Sequence, residues 1–109
     1  MRARVRVQAG ICGFVADVEA TNEDITEPVQ LSITSTCENI SRLSGALKEA
    51  EPLREIREGF NGGILTVTRE HLRGCCAGCV VPPAIFKAMQ VAAGLALPRD
   101  PVITIEKED

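Results

Sequence analysis

The chain begins with an alternation of polar and apolar positions. Ala3, Val5, Val7 and Ala9 interleave with Arg2, Arg4, Arg6 and Gln8. Successive side chains of an extended chain point to opposite faces, so this period of two predicts a strand with one wet side. Beyond the turn Gly10-Ile11-Cys12-Gly13, the residues Phe14, Ala16, Val18 and Ala20 alternate with Val15, Asp17 and Glu19. A polar loop from Thr21 to Pro28 leads to a third alternation, Val29, Leu31, Ile33 and Ser35 against Gln30, Ser32 and Thr34. Each segment has a single apolar face, which predicts an antiparallel sheet covered on one side. The arginines of the first strand and the acids of the second would share the open face. Such cross-strand pairs contribute about 0.2–1 kcal/mol each and set register.

The period then changes to that of a helix. Ser35-Thr36-Cys37-Glu38 has the spacing of a capping box. Behind it, Ile40, Leu43, Leu47 and Ala50 share a face. Pro52 suits the first turn of a second helix, whose stripe is Leu53, Ile56 and Phe60, with Gly59 and the Asn61-Gly62-Gly63 run ending it. Ile64 to Arg73 fits either a strand or a helix; Ile64, Leu65, Thr68 and Leu72 on one face and Gly74 as a stop favour the helix. Pro82-Pro83 opens a last helix running to about Leu97, where Pro98 stops it. That helix is apolar nearly all round, so it is expected at the centre of the core or partly beneath another subunit. Val102 to Glu106 alternates again and reads as a fourth strand, with Ile103 and Ile105 inward. The expected fold is a two-layer α+β sandwich over one domain, residues 1–109. Its four-stranded, mostly antiparallel sheet is covered on one face by helices, in the order β-β-β-α-α-α-β.

Composition narrows the function classes. A hydrophobic content of 45% with 25% charged residues belongs to a folded globular chain. The net charge of −3 and the absence of a basic patch argue against nucleic acid as a partner. Trp and Tyr are absent, leaving Phe14, Phe60 and Phe86 as the aromatics, too few for base stacking. The alternating N-terminus has no apolar core of a signal peptide, and no apolar run is long enough for a membrane span. The expectation is therefore a cytoplasmic protein that engages neither membrane nor nucleic acid. The Ala84 to Leu97 helix offers a surface for a homodimer or a protein partner.

Against that background the five cysteines stand out. In a reducing compartment they read as metal ligands or redox groups before they read as disulfides. Cys12 lies in the first strand turn, Cys37 where the third strand passes into a helix, and Cys75, Cys76 and Cys79 before the last helix. Were the fourth strand parallel to the first and third, all three groups would meet at one end of the sheet. Cys76-Ala77-Gly78-Cys79 lets two sulfurs bend onto one ion across a small turn. Cys12, Cys37, Cys76 and Cys79 would complete a tetrahedral site for zinc or hold an iron–sulfur cluster, with Cys75 or His71 as substitutes. Cys37 and Cys79 adjoin helix N-termini, whose dipole favours thiolate. Two other readings stay open. Cys76 and Cys79 could handle disulfides or persulfides, with Cys12 or Cys37 resolving, or Cys12 and Cys37 could be buried small hydrophobes of an assembly subunit.

Other motifs carry little chemistry. The glycines from Gly59 to Gly63 lack the Lys-Ser/Thr of a phosphate loop. Glu70 and His71 have no nucleophile at a recognisable spacing. Nothing points to an enzyme with its own substrate pocket. The segments Ala9-Gly10-Ile11-Cys12-Gly13-Phe14, Ser35-Thr36-Cys37 and Cys79-Val80-Val81-Pro82, with the Lys87 to Leu97 helix, resemble a small family of uncharacterised prokaryotic proteins. These come mainly from anaerobes and methanogens. The resemblance covers nearly the whole chain and implies a three-cysteine pattern at Cys12, Cys37 and Cys79. It also implies that Cys76 stands where His is frequent and Val80 where Pro is expected. No activity comes with it, although an anaerobic setting would favour an iron–sulfur cluster over zinc. The expected role is that of an accessory, carrier or electron-transfer protein.

Overall fold

A computed structural model describes all 109 residues. Strands β1 (Arg2–Gln8), β2 (Val15–Thr21) and β3 (Val29–Ser35) form an antiparallel meander, as the three alternations require. The register sets Val5 beside Val18 and Val18 beside Ile33, so the apolar residues make continuous rows across the sheet. On the other face Arg2 pairs with Glu19 at 3.1 Å, and Asp17 receives Arg6 at 3.1 Å and Arg4 at 3.6 Å. These exposed pairs hold register and add little to stability. The β2–β3 loop is pinned by the buried Asn22, whose amide donates to the Glu27 and Pro28 carbonyls.

Four helices complete the fold: α1 (Glu38–Ala46), α2 (Pro52–Glu58), α3 (Gly63–His71) and α4 (Val81–Ala92). The helix α4 packs across β1 and β2, α1 packs on β3, and α3 bridges α1 and α4. Twenty buried apolar residues form one cluster, in which Val18, Leu43, Ile64, Ile85 and Met89 lose essentially all contact with water. Full burial of side chains of this size contributes roughly 1.5–3 kcal/mol each. The last helix is central, as its apolar composition implies, and Ile64 to Arg73 is helical through His71.

Several details differ from the sequence reading. The fourth strand, β4, is Glu49–Ala50, a two-residue edge paired antiparallel with β3. Val102 to Glu106 pairs with nothing and is exposed throughout. Its alternation records β-propensity, which cannot say whether a free edge lies within reach. Ala50 therefore belongs to β4, since α1 stops at Ala46 and only Leu47 continues its buried stripe. The capping box does not form. Cys37 is the N-cap, and the Ser35 hydroxyl instead accepts the Cys37 amide at 3.0 Å and donates to the Val15 carbonyl at 2.8 Å.

The α2 stripe is also turned the other way. Leu53, Ile56 and Phe60 are exposed, while Pro52 and Glu55 are buried. Glu55 faces inward because its carboxylate accepts the amides of Ile64, at 3.0 Å, and Gly63, capping α3. A Cβ on Gly62 would come within 2.5 Å of that carboxylate, which explains the glycine. Finally, α4 ends five residues before Leu97. Gly94 takes a left-handed φ of +75°, with its amide bonded to the Val91 carbonyl and that of Leu95 to the Gln90 carbonyl. This pair of bonds is a Schellman stop, and it was hidden by the apolar run around it.

Candidate metal centre

The site is built from three separate element junctions. Cys12 sits in a 3-10 turn, Gly10–Cys12, which closes the β1–β2 hairpin. Gly10 and Gly13 both have left-handed φ, +83° and +74°, a conformation that L side chains rarely adopt. The turn is locked by bonds from the Gly13 amide to the Gly10 carbonyl and from the Ala9 amide to the Phe14 carbonyl. Cys37 follows β3, which runs antiparallel to β2 and so returns to the same end of the sheet. Cys79 lies two residues before α4. The other end of α4 reaches Met1, because a Cβ on Gly94 would lie 3.1 Å from the Met1 terminal methyl. The helix thus runs antiparallel to β1 and begins at the end of the sheet where Cys12 lies. Convergence comes from α4 itself and does not need the fourth strand on which the sequence argument leaned.

Cys12, Cys37 and Cys79 line one cavity of about 40 Å³. Its remaining walls are apolar apart from Ser35, whose hydroxyl is already engaged by Val15 and Cys37. The three cysteines are the soft donors in a lining otherwise apolar, with Phe14, Ile40 and Val81 among its walls; its hairpin side is open to solvent, where Cys12 is exposed and its thiol lies 3.8 Å from the Ala9 carbonyl. A space of this size is that of an ion or a water molecule. No three His, Cys, Asp or Glu side chains form a group placed to hold a metal ion. All five cysteines are free thiols.

The competitors for a fourth place stand outside the cavity. Cys76 is exposed, and its sulfur accepts the Gly78 amide at 3.2 Å within the turn closed by the Cys79 amide on the Cys76 carbonyl. Cys75 is half-buried against the first turn of α1, where the Asn39 amide donates to its sulfur at 3.0 Å. His71 is exposed at the end of α3, its Nδ1 2.9 Å from the Val67 carbonyl of its own helix. Cys76 is the nearer in sequence to Cys79, and the left-handed Gly74 before it is a natural pivot for its loop.

Two features escaped the sequence reading. The apolar wall made by Phe14, Val15 and Ile40 could be anticipated only once the hairpin turn and the first turn of α1 were known to meet. Glu55 is the other. Burial raises its pKa above the ordinary carboxylate value, against the opposing pull of the Ile64 and Gly63 amides. Its second oxygen is buried with no partner. The only hint in the sequence was an acid on α2 preceding a Gly-Gly pair.

No curated protein and no solved structure matches the chain significantly. A family model does, over residues 3–105, and its span takes in all five cysteines and every element of the fold except the first residue of β1. The chain belongs to this family, a family of unknown function (DUF6951).

Proposed function

We propose that this protein binds a thiophilic metal ion or an iron–sulfur cluster through Cys12, Cys37 and Cys79, with Cys76 as fourth ligand, and serves as a carrier, accessory or electron-transfer protein. The observation that carries the reading is the shared apolar cavity of Cys12, Cys37 and Cys79. Soft thiolates select zinc, copper(I) or iron–sulfur centres over hard cations. A lining of apolar side chains and three cysteines holds no carboxylate for magnesium or calcium, which need several oxygen ligands. Loading would draw the three walls together and swing Cys76 in about Gly74. A cytoplasmic location and a family distribution among anaerobic prokaryotes belong to the same reading, and both would favour iron–sulfur chemistry.

Anaerobic purification followed by absorbance and assay for zinc and iron tests the proposal. Without Trp or Tyr the near-ultraviolet background is almost blank, so a cluster would show at once. The expected result is about one metal centre per chain. Colourless protein free of both metals would remove the reading.

A second reading has one observation in its favour. Cys76 is exposed, accepts an amide hydrogen bond and precedes the half-buried Cys79 by three residues at the start of a helix. That is the arrangement of an attacking and a resolving thiol in disulfide exchange. It requires Cys76 to alkylate much faster than Cys79. Equal, slow labelling of the two would count against it.

A further inference from the structure

The sheet has an unpaired edge. In the order β1-β2-β3-β4, β1 has a neighbour on one side only. Its odd-numbered residues face β2: Met1 and Asn22 exchange backbone bonds, and the Ala9 amide donates to Phe14. Antiparallel pairing alternates along a strand. The amides and carbonyls of Arg2, Arg4, Arg6 and Gln8 therefore point away from the sheet, along an exposed edge seven residues long.

A strand without a partner lies elsewhere in the same chain. Val102-Ile103-Thr104-Ile105 combines high β-propensity with solvent exposure; Val102, Ile103 and Ile105 are 85%, 70% and 88% exposed. Such a segment is a liability unless it pairs, yet the family model extends over it to residue 105. The connection from α4 contains Pro98 and Pro101, which restrict its backbone and favour an extended course. An extended segment of this kind fits the elongated envelope, 49 Å along one axis against 27 and 24 Å across the others.

Charge selects which edge it would meet. Arg2, Arg4 and Arg6 on β1 outnumber Asp17 and Glu19 opposite them. Two β1 edges brought together would set arginines against arginines, which opposes pairing. The segment is flanked by Asp100, Glu106, Glu108 and Asp109, with Arg99 and Lys107 as the only cations among them. It is therefore complementary to the edge that β1 presents. At the other side of the sheet, β4 is two residues long and offers no comparable template.

We infer that two copies of this chain exchange these segments, Val102–Glu106 of each adding a fifth strand to the β1 edge of the other. The contact is reciprocal about a two-fold axis, a β-augmentation that buries both free edges at once. It is independent of the metal proposal, since no cysteine takes part.

Sedimentation of the full chain with a thiol reductant present tests it, alongside Ile103→Pro and the double variant Ile103→Lys/Ile105→Lys. The wild type should sediment at twice the 11.7 kDa chain mass, and Cys12→Ser should do the same, which separates the dimer from any metal bridge. Both segment variants should sediment as single chains that keep the helical far-ultraviolet signal and the wild-type unfolding cooperativity, because these exposed side chains belong to no part of the core. The Arg4 and Arg6 amides should exchange about tenfold or more slower in the wild type than in Ile103→Pro. A wild-type monomer at micromolar concentration overturns the inference, including one whose Arg4 and Arg6 amides are protected, since that would place the segment on its own sheet. A dimer that survives Ile103→Pro overturns it equally.

Discussion

Cys37 occupies an N-cap position, where Ser, Thr, Asp or Asn would bond to the first free amides of the helix, and its side chain makes no such bond. A residue that forgoes a cap at a helix start is better explained by the cavity it lines than by the helix. The expectation is that Cys37→Ser raises the stability of metal-free protein by about 0.5–1 kcal/mol while weakening metal binding. Denaturant unfolding in chelator checks the first half. If Cys37 were only a small buried hydrophobe, the same change would destabilise. Glu55 gives a second expectation at this scale. Its pKa is raised in the folded state, so its protonation favours folding. That contribution is fully present below the ordinary value of 4.5 and is lost as pH rises through the elevated folded value. The stability advantage of Glu55→Gln over wild type should therefore grow from acid toward neutral pH. Glu55→Ala, which uncaps the Ile64 amide, should cost about 1–3 kcal/mol. Unfolding curves at pH 4 and pH 7 measure both, and a pH-independent Glu55→Gln difference would contradict the burial account.

Among the elements, the strands were legible because alternation reports directly on a sheet with one wet face. Helix faces were less so. Leu53, Ile56 and Phe60 have helical spacing, but a seven-residue helix also has a buried opposite side, here held by Pro52 and the carboxylate of Glu55. Pattern counts apolar residues and misses an acid that is drawn inward by unpaired amides. Substituting Ser for Leu53 or Ile56 should change stability by no more than about 0.5 kcal/mol. Ile85→Ala, on the fully buried face of α4, should cost roughly 2–5 kcal/mol. Thermal unfolding of the three variants separates the cases; comparable losses would mean that α2 packs by its apolar stripe after all. The end of α4 was illegible for a related reason. Gly94 sits in a run of Ala and Leu, and only its left-handed φ distinguishes a stop from one more small residue.

At the scale of the whole molecule, the meeting of Cys12, Cys37 and Cys79 follows from topology. A hairpin turn, a strand end and a helix start share one end of the sheet because β3 and α4 both run back across it. The trio meets without any C-terminal fourth strand beside β1 or β3, because α4 itself begins at that end of the sheet. The place of Cys76 was beyond the sequence, since two residues of loop decide whether its sulfur faces the cavity or the solvent. Val102 to Glu106 reads as a fourth strand with Ile103 and Ile105 inward, yet it is exposed and pairs with nothing, because alternation does not reveal whether an edge lies within reach. The most direct test of the central claim is an anaerobic titration with cobalt(II), a coloured stand-in for zinc, read by sulfur-to-metal charge-transfer absorbance. Wild type and Cys75→Ser should each bind about one equivalent, and Cys12→Ser, Cys37→Ser and Cys79→Ser should each lose about tenfold or more in affinity. No charge-transfer band in the wild type, or a band indifferent to all three substitutions, would contradict the account.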